Sequence, residues 1–230
     1  MAERSPWSCV LWDVDGTLVD ASEGILRRLT ITLEHFGRTA PRRDELSRWI
    51  GPPMFESFQE NVGMTPEEAT EAVAFYRGLN KKEGYTVSAQ LYPGVGEIVR
   101  DLHAAGVPQS TASSKPEVQV VALMEHFGLA PVLEAIVGAT PDERTLSAKS
   151  DIVKEALRRL DAAGHDVSRP VLIGDRHHDV EGGAIAGVPV VFVRWGFSWP
   201  HEADGSVAAV DTADELRAVL LVSDDVSVGG

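Results

Sequence analysis

Asp13 and Asp15 stand two residues apart behind the apolar run Cys9-Val10-Leu11-Trp12, and Gly16-Thr17 follows directly. In an extended chain such residues project to the same side, so both carboxylates face one point at the tip of a short buried strand. The glycine after them accepts backbone angles that other residues avoid. Two like charges at a strand tip are costly unless a cation lies between them. The residue types therefore point to a hard-metal site, with one carboxylate free to attack and the other to move protons. A calcium loop opening at Asp13 does not fit, because glycine would fall at position 4 and Gly24 at position 12.

Similar residues recur at the ends of later apolar runs. Gly174-Asp175-Arg176-His177-His178-Asp179 follows Val171-Leu172-Ile173, and Ser113-Ser114 follows a weak, polar strand candidate over Val107 to Ala112. Lys149 sits early in the helical pattern Ile152, Val153, Ala156, Leu157 and Leu160. If the strands run parallel, these ends converge on one crevice. The hydroxyls and amides at Ser113-Ser114 suit a phosphate oxygen, and the Lys149 ammonium can neutralise a bound anion. Asp179 can serve a metal or merely cap the helix that follows it. His177 and His178 lack the HExxH or cysteine–histidine spacing of a zinc site. Carboxylates, a magnesium-like ion, hydroxyls and one lysine together describe phosphoryl transfer to an aspartate.

The elements that must position these groups are legible from periodicity. Residues 21 to about 85 carry no strand signal. Ile25, Leu26, Leu29, Leu33 and Phe36 mark one helix that stops at Gly37, and Leu46, Trp49 and Ile50 a short second one. Met54, Phe55, Phe58 and Val62 mark a third, and Thr65-Pro66-Glu67-Glu68 opens a fourth with an N-cap, a proline and two acids. From Tyr92 onward helices alternate with strands: a helix over Val95 to Leu102, another over Val120 to Phe127, strands at Ala135 to Val137, Val171 to Ile173 and Val188 to Val193. That alternation predicts an α/β fold with a parallel sheet covered on both faces and a helical insertion. The tail from Ser223 to Gly230 is expected to be disordered.

In order and spacing, Asp13-Val14-Asp15-Gly16-Thr17, Ser113, Lys149 and Gly174-Asp175 with Asp179 resemble the motifs of the haloacid dehalogenase-like superfamily. The likeness covers roughly residues 8 to 220. Ile50-Gly51-Pro52-Pro53-Met54, Ser114-Lys115-Pro116 and Glu125-His126-Phe127-Gly128-Leu129 resemble its phosphoglycolate phosphatase-like and 5′-nucleotidase-like branch. The resemblance implies a Rossmann-like core over residues 1–20 and 88–230 and an α-helical cap over 21–87 that closes on the crevice. It implies that Asp13 attacks phosphorus while Asp15 protonates the leaving oxygen and then deprotonates water. Mg2+ would be held by Asp13, the main-chain carbonyl of Asp15 and Asp175, with Asp179 ordering its surroundings. Ser113 and Lys149 would bind the transferring group, with Ser114 an equally capable neighbour. Thr17, the rigid Gly51-Pro52 turn and Arg77 fall on the substrate side, although Arg77 with Lys81-Lys82 also reads as a solvated helix face. Gly182-Gly183, where this branch often has glycine then alanine, is expected to loosen helix packing; Trp195-Gly196-Phe197 should pack at the site rim.

Composition sets limits on these readings. The 230 residues are 43% hydrophobic and 24% charged, as in ordinary globular proteins. A formal charge of −14 argues against a nucleic-acid surface and would repel anionic substrates unless the site supplies cations. The lone Cys9 lies in an apolar run and reads as core, consistent with a reducing cytoplasm. No run of 18 apolar residues suggests a membrane span. The expected partner is a small phosphorylated metabolite (phosphoglycolate, a nucleoside monophosphate or a sugar phosphate), with the chain a monomer or homodimer. Phosphoryl transfer to an acceptor hydroxyl, as in a phosphotransferase or mutase, is the alternative chemistry. A non-catalytic regulatory binding protein is the alternative class.

Overall fold

The computed structural model describes residues 3–141 and 145–223. Five parallel strands form the central sheet in the order Ala208–Val210, Val190–Val193, Pro170–Gly174, Cys9–Trp12, Gln109–Thr111. Leu11 lies opposite Leu172 and Ser110, so the apolar runs are in register at the centre. Alternation along the strands fills two cores. Val10, Trp12, Val171 and Ile173 join Val99, Leu102 and Leu216 on one face, while Cys9, Leu11 and Leu172 join Ile152, Ala156 and Leu160 on the other. This is the α/β architecture expected, a Rossmann-like sheet with helices on both faces. The Cys9 thiol, fully buried, is pushed up to about 11 chiefly by burial and acts as a small apolar residue.

The weak strand candidate is real but shorter, Gln109–Thr111, and its polar side chains are wholly buried. Each finds a partner. Gln109 accepts from Trp12 Nε1 at 2.9 Å and donates to the Val99 carbonyl at 2.8 Å. Thr111 Oγ1 accepts from Val137 N at 2.8 Å and donates to Val137 O at 2.9 Å. Thr111 thereby stitches on the segment Ala135 to Val137, which forms no regular strand but joins the sheet edge through the bridge Ser110↔Ala135 and backbone bonds from Thr111 and Ser113 before a short strand at Gly138–Ala139. Trp12 is fully buried and packs on one face of the sheet.

Between the short strands Val19–Asp20 and Gln90–Leu91 the chain makes the helices Ser22–His35, Arg43–Leu46, Met54–Val62 and Pro66–Glu83. The two strands pair antiparallel, Val19 with Leu91 and Asp20 with Gln90, so the inserted segment leaves and re-enters the core at one place. Thr65 and Glu68 form a reciprocal capping box at the start of the last helix. Beyond the last expected strand, Ala208–Val210 and the helix Ala213–Leu220 complete the sheet edge and its cover. Val222–Ser223 pairs with Glu3–Arg4, so Ser223 is not part of a disordered tail; residues 224–230 lie outside the described residues. Among the described residues no helix is long and apolar enough to cross a membrane.

Candidate active site

The first strand continues for one more residue through Asp13 N, which donates to Ile173 O at 2.9 Å. The chain then turns tightly: Leu18 and Val19 donate to the Val14 carbonyl, and Gly16 takes φ +88°. A Cβ on Gly16 would sit 2.2 Å from Asp175 Oδ2, so the turn needs glycine both for its backbone angle and for the approach of that carboxylate. Asp13 and Asp15 are 5% and 8% exposed.

Asp175 follows the strand Pro170–Gly174, and Asp179 lies in the first turn of the helix His177–Ala186. Asp179 Oδ2 accepts from the Asp175 and Arg176 amides at 3.1 and 3.0 Å, which folds the loop back on the helix start. Its other oxygen lies 2.7 Å from Lys149 Nζ, so capping and site-building are both performed by this residue. Lys149 opens the helix Lys149–Ala162 and reaches Asp13 Oδ1 at 2.6 Å and the Ala112 carbonyl at 2.9 Å. Oxygens of Asp13, Asp175 and Asp179 lie within 4.8 Å of one another. Burial pushes Asp13 up to about 6, opposed by Lys149 and reinforced by Asp179. Burial, then Asp179 and Asp13, hold Asp175 well above the carboxylate range. Burial alone would lower Lys149, but Asp13 and Asp179 outweigh it and hold the ammonium charged. Three crowded, desolvated carboxylates, of which only Asp13 and Asp179 contact Lys149, are short of positive charge, and their all-oxygen donor set fits Mg2+.

Other expected residues divide between the crevice and its supports. Gly51, Pro52, Ser114 and Arg77 line a cleft with Asp15, Ile50, Met54, Tyr76 and Lys115. An adjoining cleft shares Gly51, Pro52 and Ser114 and is lined on its far side by Lys149 and His178. Ser113 is buried, its Oγ accepting from Lys115 N at 3.3 Å. Thr17 is not on the cleft wall: it is fully buried and donates to Asp175 Oδ1 at 3.4 Å. Lys81 and Lys82 are solvent-exposed. The Trp195-Gly196-Phe197 segment does more than pack, since Phe197 N donates to Asp175 Oδ2 at 2.6 Å and Trp195 Nε1 to Thr17 O at 3.2 Å. Gly183 does not loosen its helix either. A Cβ there would meet Val190 Cγ2 at 2.4 Å, so the bare glycine lets the helix press onto the sheet.

Lys115 is the principal residue that the spacing argument passed over. Its Nζ lies 2.7 Å from Asp15 Oδ2 in a pair only 11% exposed on each side. Asp15 Oδ1 is buried and accepts no hydrogen bond among the described residues. The signal was in the run Ser114-Lys115-Pro116, but its partner is remote in sequence.

Fold and site define a phosphoric monoester hydrolase. A family model described as haloacid dehalogenase-like hydrolase matches residues 10–193, and the chain belongs to that family. It is 35% identical over 215 residues to the tyrosine-protein kinase PtkA of Mycobacterium tuberculosis, covering 92% of this chain and 72% of the relative. It is 32% identical over 209 residues to a 5′-nucleotidase of Pseudomonas aeruginosa, covering 91% of this chain and 86% of the relative. The crystal structure of a predicted phosphatase from Clostridium acetobutylicum superposes with a TM-score of 0.85 at 32% identity, over 92% of this chain and 97% of that one.

Proposed function

We propose that this protein is a magnesium-dependent phosphatase that hydrolyses a small phosphate monoester through a phosphoryl group carried transiently on Asp13. The observation that carries the reading is the buried cluster of Asp13, Asp175 and Asp179, of which Asp13 and Asp179 are paired with Lys149, a residue that also lines a cleft. Asp13, Asp175 and the main-chain carbonyl of Asp15 hold the metal, and Asp179 orders its surroundings. Bound magnesium supplies positive charge against the phosphoryl oxygens. An Asp13 oxygen attacks phosphorus while Asp15 protonates the departing oxygen, then takes a proton from the attacking water. Lys149 offsets charge on the transferring group, and the Ser113 or Ser114 hydroxyl donates to it. Thr17 acts one step back by holding Asp175.

The helical segment 21–87 acts as a cap, with the Gly51-Pro52 turn and Arg77 facing the rest of the substrate. The cleft lining, which sets Arg77 and Lys115 beside Asp15, supports a small anionic ester such as phosphoglycolate, a nucleoside monophosphate or a sugar phosphate. A second reading, transfer to an acceptor hydroxyl instead of water, draws support from the relative named a tyrosine-protein kinase. A phosphate-release screen over a panel of metabolite esters, with and without Mg2+, separates these readings when run beside transfer to added acceptors. Asp13→Asn serves as the blank. Activity that survives Asp13→Asn refutes the mechanism.

A further inference from the structure

Arg176 lies between Asp175 and Asp179 yet points away from both. Its guanidinium grips Glu202 with two donors, Nε to Oε2 at 2.8 Å and Nη2 to Oε1 at 3.3 Å, in a pair 5% and 13% exposed. The remaining nitrogen, Nη1, donates across to the inserted segment, to the Arg48 carbonyl at 3.3 Å and to the Ile50 carbonyl. Arg48 in turn lies 4.2 Å over the ring of Trp199, on the segment that carries Glu202. Gly51 passes so close that a Cβ there would come within 3.2 Å of Arg176 Cγ. Residues 48–51 are thus held on two sides by core residues, immediately before the Pro52-Pro53 wall of the cleft. At its other end the Arg176 amide donates to Asp179 Oδ2.

We propose that Arg176, braced by Glu202, is a positioning residue that clasps the 48–51 segment and sets the substrate-facing Gly51-Pro52-Pro53 wall. The clasp joins the loop bearing Asp175 and Asp179 to the wall that faces the ester, so binding and chemistry share one rigid reference. A fork of donors is required, since Lys at this position keeps the charge but cannot span a carboxylate and two carbonyls at once. Every buried donor on the guanidinium that reaches the insertion meets a main-chain carbonyl, which makes the contact independent of side chains at 48 and 50. The consequence for substrate handling rests on the phosphatase reading; the clasp itself does not.

Arg176→Lys and Glu202→Gln in the full chain test it, each compared with wild type by hydrogen exchange and by kinetics. Amide exchange over residues 46–56 should quicken roughly tenfold or more in both variants while the central strands stay protected. KM for the best ester should rise about tenfold with kcat within about threefold, and the Mg2+ concentration giving half-maximal thermal stabilisation should not move. Unchanged exchange over 46–56 overturns the clasp. Faster exchange with unchanged KM overturns its role in setting the wall. A fall in kcat with weakened Mg2+ stabilisation shows that Arg176 acts through Asp175 and overturns the assignment. If wild type hydrolyses no ester, the phosphatase reading fails, and the exchange experiment still decides the clasp, with thermal stabilisation by inorganic phosphate replacing KM.

Discussion

Lys149→Met removes the one cation among the described residues in contact with both Asp13 and Asp179, at 2.6 and 2.7 Å, and leaves three carboxylates within 4.8 Å of one another in a buried site. Removing one partner of a buried ion pair costs about 3–5 kcal/mol, because the remaining charge is left without compensation. For a chain of this size each kcal/mol is about 2–4 °C in Tm, so a loss of roughly 6–20 °C is expected at pH 8 without magnesium. The Lys149 charge has a folded-state pKa raised above its ordinary value, so its contribution is fully present throughout pH 5–8 and is lost only at strongly alkaline pH. Asp13, pushed up to about 6, adds a second dependence. That value includes the lowering by Lys149, so in the variant Asp13 takes up its proton at higher pH; as pH falls the stranded charge disappears and the gap between variant and wild type should narrow. Millimolar Mg2+ should narrow it at pH 8 by supplying the missing charge. Thermal unfolding at pH 5 and pH 8, each with and without Mg2+, reads all four cases. A variant within about 3 °C of wild type at pH 8 without metal, or a loss of equal size at both pH values, refutes the charge-shortage argument.

Two further predictions concern the helix that carries Asp179. Burial, then His177 and Arg176, depress His178 to about 4, so its ring should stay neutral by NMR down to about pH 5. Its folded pKa lies below its unfolded one, hence its contribution to stability is present above about pH 6.5 and is lost as pH falls towards the folded value; His178→Asn should remove that part of the acid-side decline. Gly183→Ala places a methyl 2.4 Å from Val190 Cγ2 and 2.8 Å from the Val188 carbonyl, and should cost about 1–3 kcal/mol in urea unfolding; a neutral result would show that the helix can lift without penalty.

The acid loops were legible because their information is local. Two carboxylates at i and i+2 behind an apolar run face one way in any extended strand, and Gly16 announces the turn. Helices such as Met54–Val62 and Pro66–Glu83 were legible for the same reason, periodicity in one case and a capping sequence in the other. Gln109–Thr111 is faint because the polarity of Gln109 and Thr111 is satisfied by Trp12, Val99 and Val137, residues that sequence does not show to be near. Lys115 and Arg176 sat inside recognisable motifs, yet their work depends on Asp15 and Glu202, which only the fold delivers. The strand Ala208–Val210 is too short to stand out, whereas the helix Ala213–Leu220, capped by Thr212 and burying Leu216 and Leu220, carries a readable signal. The hydroxyl of Thr17, which the resemblance puts on the substrate side, turns inward to Asp175, a contact between residues far apart in sequence.

The ribbon of Val19–Asp20 against Gln90–Leu91 brings the two ends of the inserted helices side by side. An excursion that starts and finishes at one hydrogen-bonded pair imposes no span on the body it leaves. Its length and helix count can change while the strands on either side keep their partners. The excursion can therefore be exchanged as a unit without cutting the strands that carry Asp13 and Asp175, provided the contacts of Arg176 to residues 48 and 50 are kept. Grafting the 21–89 stretch of a relative between Asp20 and Gln90 is the corresponding engineering route to new selectivity.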